Sequence, residues 1–168
     1  MTEIIKGNDP FLTTIIPEFD FTNSPDNPND IALELMTIMN ENNGIGLAAN
    51  QIGKLHRVFV MRGHPENFVC FNPRIVHMEE EQIVLEEGCL SYPNLLIKIK
   101  RPKQIRVRFQ TPSGTIVTKV FDGLTARVFQ HELDHLNGIL FHKRANRIHR
   151  EQAFKKMEKL NGKRNKQR

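Results

Sequence analysis

Gln130-His131-Glu132-Leu133-Asp134-His135-Leu136-Asn137-Gly138 is the stretch on which the reading of the whole chain turns. His131 and His135 stand four residues apart, so on a helix both imidazoles point the same way and can hold one metal ion. Glu132 lies about 100° around that helix, within reach of a water on the ion. The helix is predicted to begin behind Asp122, a capping residue, and to run through Leu136, where Asn137 and Gly138 end it. Leu124, Val128, His131 and His135 recur at i, i+4, i+7 and i+11, which makes the imidazoles continue an apolar, inward-facing stripe. HExxH also arises by chance on charged helices, but an imidazole facing inward needs a partner, and a metal supplies one.

Outward from this helix the periodicity changes. Residues 21–30 are dense in Asn, Asp and Pro and precede an amphipathic segment carrying Ile31, Leu35, Ile38 and Met39, read as a first helix that stops at Asn42, Asn43 and Gly44. A Gly-rich loop over 44–53 follows. Short β-type runs come next, over 56–61, 68–71, 82–86, 104–109 and 115–121; Ile105, Val107 and Phe109 alternate with Arg106 and Arg108, and Thr111-Pro112-Ser113-Gly114 supplies a hairpin turn. Residues 148–160 read as a third, basic helix. The predicted class is α+β, with short mixed or antiparallel sheets packed around a central helix carrying His131 and His135, an N-terminal helix, and a C-terminal basic helix. One catalytic domain is expected over 1–160, with 161–168 a basic, flexible tail.

Composition agrees with a water-soluble chain: 39% of residues are hydrophobic and 26% charged, and no apolar run approaches the roughly 18 residues of a membrane span. The opening Met1-Thr-Glu-Ile-Ile-Lys-Gly-Asn-Asp-Pro10 lacks the pattern of a secretory signal, so a cytoplasmic location is expected. There Cys70 and Cys89 stay reduced. The net charge of +5 is unevenly placed, because residues 143–168 hold 11 of the 24 Lys and Arg against Glu151 and Glu158, while the first 142 residues carry a net −4. Attraction to polyanions belongs to that end of the chain.

A catalytic metal site takes three protein ligands and keeps one position open. The two histidines leave the third to be found. A downstream His at the spacing HExxHxxGxxH is nearly present, but position 141 is Phe and His142 comes one residue late. Glu158 is the nearest downstream glutamate, set among lysines where an i, i+4 ion pair is its ordinary use. Cys89, in Glu86-Glu87-Gly88-Cys89-Leu90-Ser91, offers a thiolate, though a cysteine among apolar residues is commonly a small core residue, as Cys70 is read. His56, His64, His77, His142 and His149 are read as surface or loop histidines.

Three segments taken together and in this order, Gly44-Ile-Gly-Leu-Ala-Ala-Asn-Gln51, Glu87-Gly-Cys-Leu-Ser91 and Gln130–Gly138, resemble the peptide deformylase family over about residues 9–160. The resemblance selects Cys89 as third ligand beside His131 and His135. It implies hydrolysis of the formyl group from the initiator methionine of new proteins, with N-formyl-Met peptides as substrates, formate as product, and one divalent ion, iron(II) natively with zinc, nickel or cobalt able to replace it. Glu132 would carry the proton, and the Gln51 side-chain amide and the Leu90 backbone N–H would receive the developing oxyanion. Ile45, Gly46 and Leu90 would line a cleft that pairs with an extended peptide, and Ile45, Leu124 and Val128 would take the methionine side chain. Two residues depart from the family's habit: Leu96 stands where many bacterial members have a basic residue, and Tyr92 where a smaller aliphatic is common. By the same resemblance the basic C-terminal helix would contact the ribosome. With no aromatic residue after Phe154, base stacking is not suggested, and no sequence-specific nucleic-acid binding is expected.

Overall fold

The computed structural model describes residues 3–165. Helix α1 spans Pro28–Glu41 and starts where Asn27 accepts a hydrogen bond from the Asn29 amide, with Pro28 in the first turn. That is three residues before the first apolar position of the sequence pattern, because the cap and the proline set the start. The helix ends at Asn42, and Asn43 takes a left-handed φ of 53°.

Seven strands follow: β1 Gly46–Ala48, β2 Val58–Met61, β3 Phe68–Met78, β4 Gln82–Cys89, β5 Tyr92–Pro102, β6 Gln104–Gln110 and β7 Ile116–Asp122. They form a five-stranded sheet in the order β1-β2-β3-β6-β7 and a separate β4-β5 ribbon, and every registered pair is antiparallel. The β6-β7 hairpin closes at 111–114, as the turn residues predict.

Strand β5 is the element the sequence reading passes over. Its buried residues Leu95, Ile97, Ile99 and Arg101 alternate with exposed Leu96, Lys98 and Lys100, a period of two that an apolar residue on the outer face, an arginine on the inner face and the prolines near both ends interrupt. β3 also runs seven residues past its predicted end, with irregular register near Asn72, whose φ is 47°.

Helix α2, Gly123–Leu136, carries the HExxH residues. Asp122 sits at its N-cap position but does not cap it; the carboxylate instead accepts from Gln104 Nε2 at 3.1 Å. At the other end Gly138 has φ +68°, and a Cβ there would collide with the Thr13 backbone, so both conformation and space require glycine. Helix α3 spans Arg147–Asn165, five residues beyond the predicted end; the remainder of the predicted tail, 166–168, lies outside the described residues.

Three apolar clusters hold these elements together. Phe59, Cys70, Val107, Phe129 and Leu136 fill the space between α2 and the five-stranded sheet. The stripe Ile31, Leu35, Ile38 and Met39 packs α1 on Leu47 and Val60. Leu95, Ile97 and Phe141 meet Phe154 and Met157 of α3. Burial of such side chains, each worth about 1.5–3 kcal/mol, fixes the end of β4 against α2.

Candidate active site

The two histidines of α2 face the same way, with ring centroids 5.0 Å apart. The register of β4 and β5 brings Cys89 to the last position of β4, opposite Tyr92. Its sulfur lies 3.3 Å from His135 Nε2, and ligand atoms of Cys89, His131 and His135 all fall within 4.8 Å of one another. Burial opposes ionisation of the Cys89 thiol, but the charges and hydrogen bonds of His135 and His131 hold its pKa well below the usual value. Two imidazoles and a thiolate in this arrangement fit a divalent cation.

Behind His131 stands a residue to which the sequence reading gave no role. Glu87 is 5% exposed and its Oε2 lies 3.0 Å from His131 Nδ1. Arg101 donates to both Glu87 oxygens, at 2.7 and 3.0 Å, and Arg127 donates to Oε1 at 2.8 Å. Although burial pushes the carboxyl up, the bonds and charges of His131 and Arg101 hold its pKa well below the usual carboxylate range, so it only accepts. The proton of the shared bond therefore sits on His131 Nδ1, which makes Nε2, on the Cys89 side, the nitrogen that a metal would take. Arg101 also donates to Asp134 at 2.7 Å, and Arg144 grips both oxygens of Asp134 at 2.6 and 3.1 Å. One signal for this network was available: the alternation of β5 places Arg101 inside, where a guanidinium requires carboxylates. Glu87→Gln keeps the shape and removes the charge. It is expected to weaken metal retention by about 10–100-fold, measured by competition with a chromophoric chelator; retention equal to wild type would remove the role.

Glu132 is 4% exposed and its Oε2 has no hydrogen-bond partner among the described residues. Burial, reinforced by the Cys89 and Glu87 charges and opposed by those of the histidines, raises its pKa to about 7. Gly46, in β1, packs flat against it, and a Cβ at Gly46 would collide with the Glu132 carboxylate. Gly46→Ala is therefore expected to displace Glu132 and cut turnover by about 100-fold while metal content stays constant; undiminished kcat would contradict the contact.

Gln51 is 2% exposed in a 3-10 turn spanning Ala49–Ile52. Its Oε1 accepts from the Ala48 amide at 2.9 Å, which turns Nε2 toward Ser91 Oγ at 3.1 Å and Cys89 Sγ at 3.5 Å. Asn50 beside it donates to the His135 carbonyl at 2.7 Å. A donor directed at the Cys89 sulfur is thus fixed by the backbone of the Gly-rich loop.

A cleft of about 460 Å³ is lined by Gln51, Cys89, Leu90, His131 and Glu132, with Ile45, Gly46, Leu124 and Val128 also in its wall. His135 lies behind that wall, 1% exposed. Leu124, expected on the buried stripe, is 62% exposed, because it occupies the first turn of α2 at the mouth of the cleft. His142 is no surface histidine: its ring packs against Tyr92 and Phe154, both ring nitrogens are buried without hydrogen-bond partners among the described residues, and burial followed by the charges of Arg150 and Lys143 lowers its pKa. Neither it nor Glu158, exposed on α3, joins the Cys89 group.

The profile of the Polypeptide deformylase family matches residues 1–151. A peptide deformylase of Thermotoga petrophila is 43% identical over 119 residues, 71% of this chain and 73% of that protein. One from Wolbachia of Brugia malayi is 36% identical over 170 residues, 94% of each. Among solved structures, a peptide deformylase of Plasmodium falciparum superposes with TM-score 0.85 at 32% identity over 96% of each chain, and that of Thermotoga maritima with 0.80 at 37% identity over 87% of this chain and 98% of the other.

Proposed function

This chain belongs to the peptide deformylase family and removes the N-formyl group from new polypeptides, and we propose that it does so with Cys89, His131 and His135 holding the metal and Glu132 moving the proton. The observation that carries the assignment is the group of half-buried Cys89 with buried His131 and His135, beside a Glu132 oxygen unpartnered among the described residues.

When bound, the ion supplies Lewis acidity, lowering the pKa of a water and polarising the formyl oxygen. The protein's own groups do the rest. Glu132, with its raised pKa, takes a proton at its free Oε2 and returns it to the leaving amine. Gln51 Nε2 and the Leu90 backbone N–H are proposed to receive the negative charge that develops on the formyl oxygen. The case for Gln51 is its fixed orientation beside Cys89; the case for Leu90 is its position between Cys89 and Ser91 on the cleft wall. Glu87, through His131 Nδ1, is a positioning residue.

The peptide is proposed to extend along Ile45 and Gly46, where β1 is the edge of the five-stranded sheet, with the methionine side chain against Ile45, Leu124 and Val128. Helix α2 is proposed as the central element, since it touches strands of both sheets, and residues 1–160 as one catalytic domain. Iron(II) is the proposed native ion on the strength of the family resemblance, and the same donors accept zinc, nickel or cobalt. The exposed lysines of α3, including Lys155 and Lys156, are the proposed ribosome contact.

The deciding experiment measures formate released from a formyl-Met peptide by anaerobically prepared, metal-loaded protein. Turnover within the range common to enzymes, about 1–10³ s⁻¹, is expected. Failure of loaded, folded protein to release formate would reject the reading.

A further inference from the structure

A second cavity, of about 400 Å³, opens on a different wall of α2 and shares no lining residue with the active-site cleft. Five cations line it, Arg57, Arg74, Lys100, Arg101 and Arg144, against one carboxylate, Asp134. Asp134 is already engaged by Arg101 and Arg144, so no lining carboxylate remains for the other three. Arg74 on β3 and Lys100 on β5 are exposed and make no ion pair or side-chain hydrogen bond among the described residues.

Arg57 is the more telling group. Its guanidinium is half-buried and, among the described residues, donates only to neutral oxygens: Ile16 O at 3.1 Å, Leu136 O at 3.3 Å and Asn137 Oδ1 at 2.9 Å. Burial lowers its pKa, and the charge of Glu18 nearby, which forms no ion pair with it, opposes that shift only in part. A cation partly removed from water, with a carboxylate nearby but none in contact, creates a demand for an anion. Low-dielectric walls such as Pro73, Ile75 and Leu133 strengthen its field. Planar guanidinium forks with a lysine beside them match tetrahedral oxyanions, and Gln130 and Asn137 in the wall add amides.

We propose that the cavity lined by Arg57, Arg74, Lys100 and Arg144 is a binding site for a phosphate group. The phosphate belongs either to a small phosphate ester or to an RNA backbone. The cavity shares Arg101 and Asp134 with the network behind His131, but Arg74 and Lys100 touch neither that network nor the cleft, so the two readings fail separately.

The test titrates full-length, metal-loaded protein at low ionic strength with glycerol 2-phosphate, and separately with a short single-stranded RNA. Binding is followed by calorimetry and by the arginine Nε–H resonances of Arg57 and Arg144. The expected result is saturable binding that Arg74→Glu/Lys100→Glu weakens by about tenfold or more, with formate release unchanged. Arg74→Gln/Lys100→Gln repeats the test should charge reversal disturb folding. Comparable losses for both probes, with RNA the tighter, assign the phosphate to RNA; loss for the ester with no tighter RNA binding assigns it to a small molecule. Lys155→Glu/Lys156→Glu separates the cavity from α3. Absence of saturable binding, or binding that only the α3 variant reduces, overturns the proposal.

Discussion

Glu132→Gln is expected to reduce kcat/KM for a formyl-Met peptide by about 10³-fold or more, because general acid–base catalysis contributes 10²–10⁴ and this carboxylate would serve both halves of the proton transfer. Metal content should not change, since Glu132 lies outside the Cys89, His131 and His135 group. The direction of the pH dependence follows from its environment. Burial raises the carboxyl to about 7, so below that value the protonated form cannot accept a proton. A divalent cation nearby favours the ionised form and moves the transition down. In the loaded wild type, kcat/KM is therefore expected to fall with acid along a limb lying below about pH 7, and the residual activity of the glutamine variant should lack that limb.

Stability should move the other way. An unfolded glutamate ionises near 4.3, whereas the folded group keeps its proton to about 7, so the wild type loses stability as pH rises between the two. Glutamine removes that loss, and above pH 7 the metal-free variant should melt no lower than wild type. Retained turnover in the loaded glutamine variant would eliminate Glu132 as the proton carrier.

Cys89→Ser is the second large effect. A serine hydroxyl stays neutral where the thiolate is anionic, so the site loses both a strong donor and the charge that balances the ion. Metal retention is expected to drop by at least about 100-fold, with formate release falling in proportion. His142→Ala and Glu158→Ala should leave both intact. His142 lies in the Tyr92 and Phe154 cluster and Glu158 on the exposed side of α3. Metal bound with wild-type affinity by the serine variant would remove Cys89 from the ligand set. Excess metal restoring turnover in that variant would locate the loss in ion binding and not in the fold.

These effects rest on parts of the chain that were unequally legible. Local rules carried α1 and α2, because helical periodicity, the Asn-rich ends and the i, i+4 pairing of His131 with His135 are properties of neighbours in sequence. The β6-β7 hairpin was legible for the same reason, its turn and its alternation both being local. β5 was missed although Ile97-Lys98-Ile99-Lys100 alternates in the same way, because outward Leu96, inward Arg101 and the prolines at 93 and 102 break the pattern on either side.

Sequence by itself thus determined the two imidazoles, the glutamate between them and the helix that presents them. Only the tertiary structure decided that Cys89, 42 residues before His131, reaches them, because that approach depends on β4-β5 register and on the packing of the ribbon against α2 and α3. It alone revealed Glu87 with Arg101, Arg127 and Asp134. Each of those residues looks like ordinary surface charge along the chain and becomes functional through burial, where the cost of an unpaired charge forces partners far apart in sequence together.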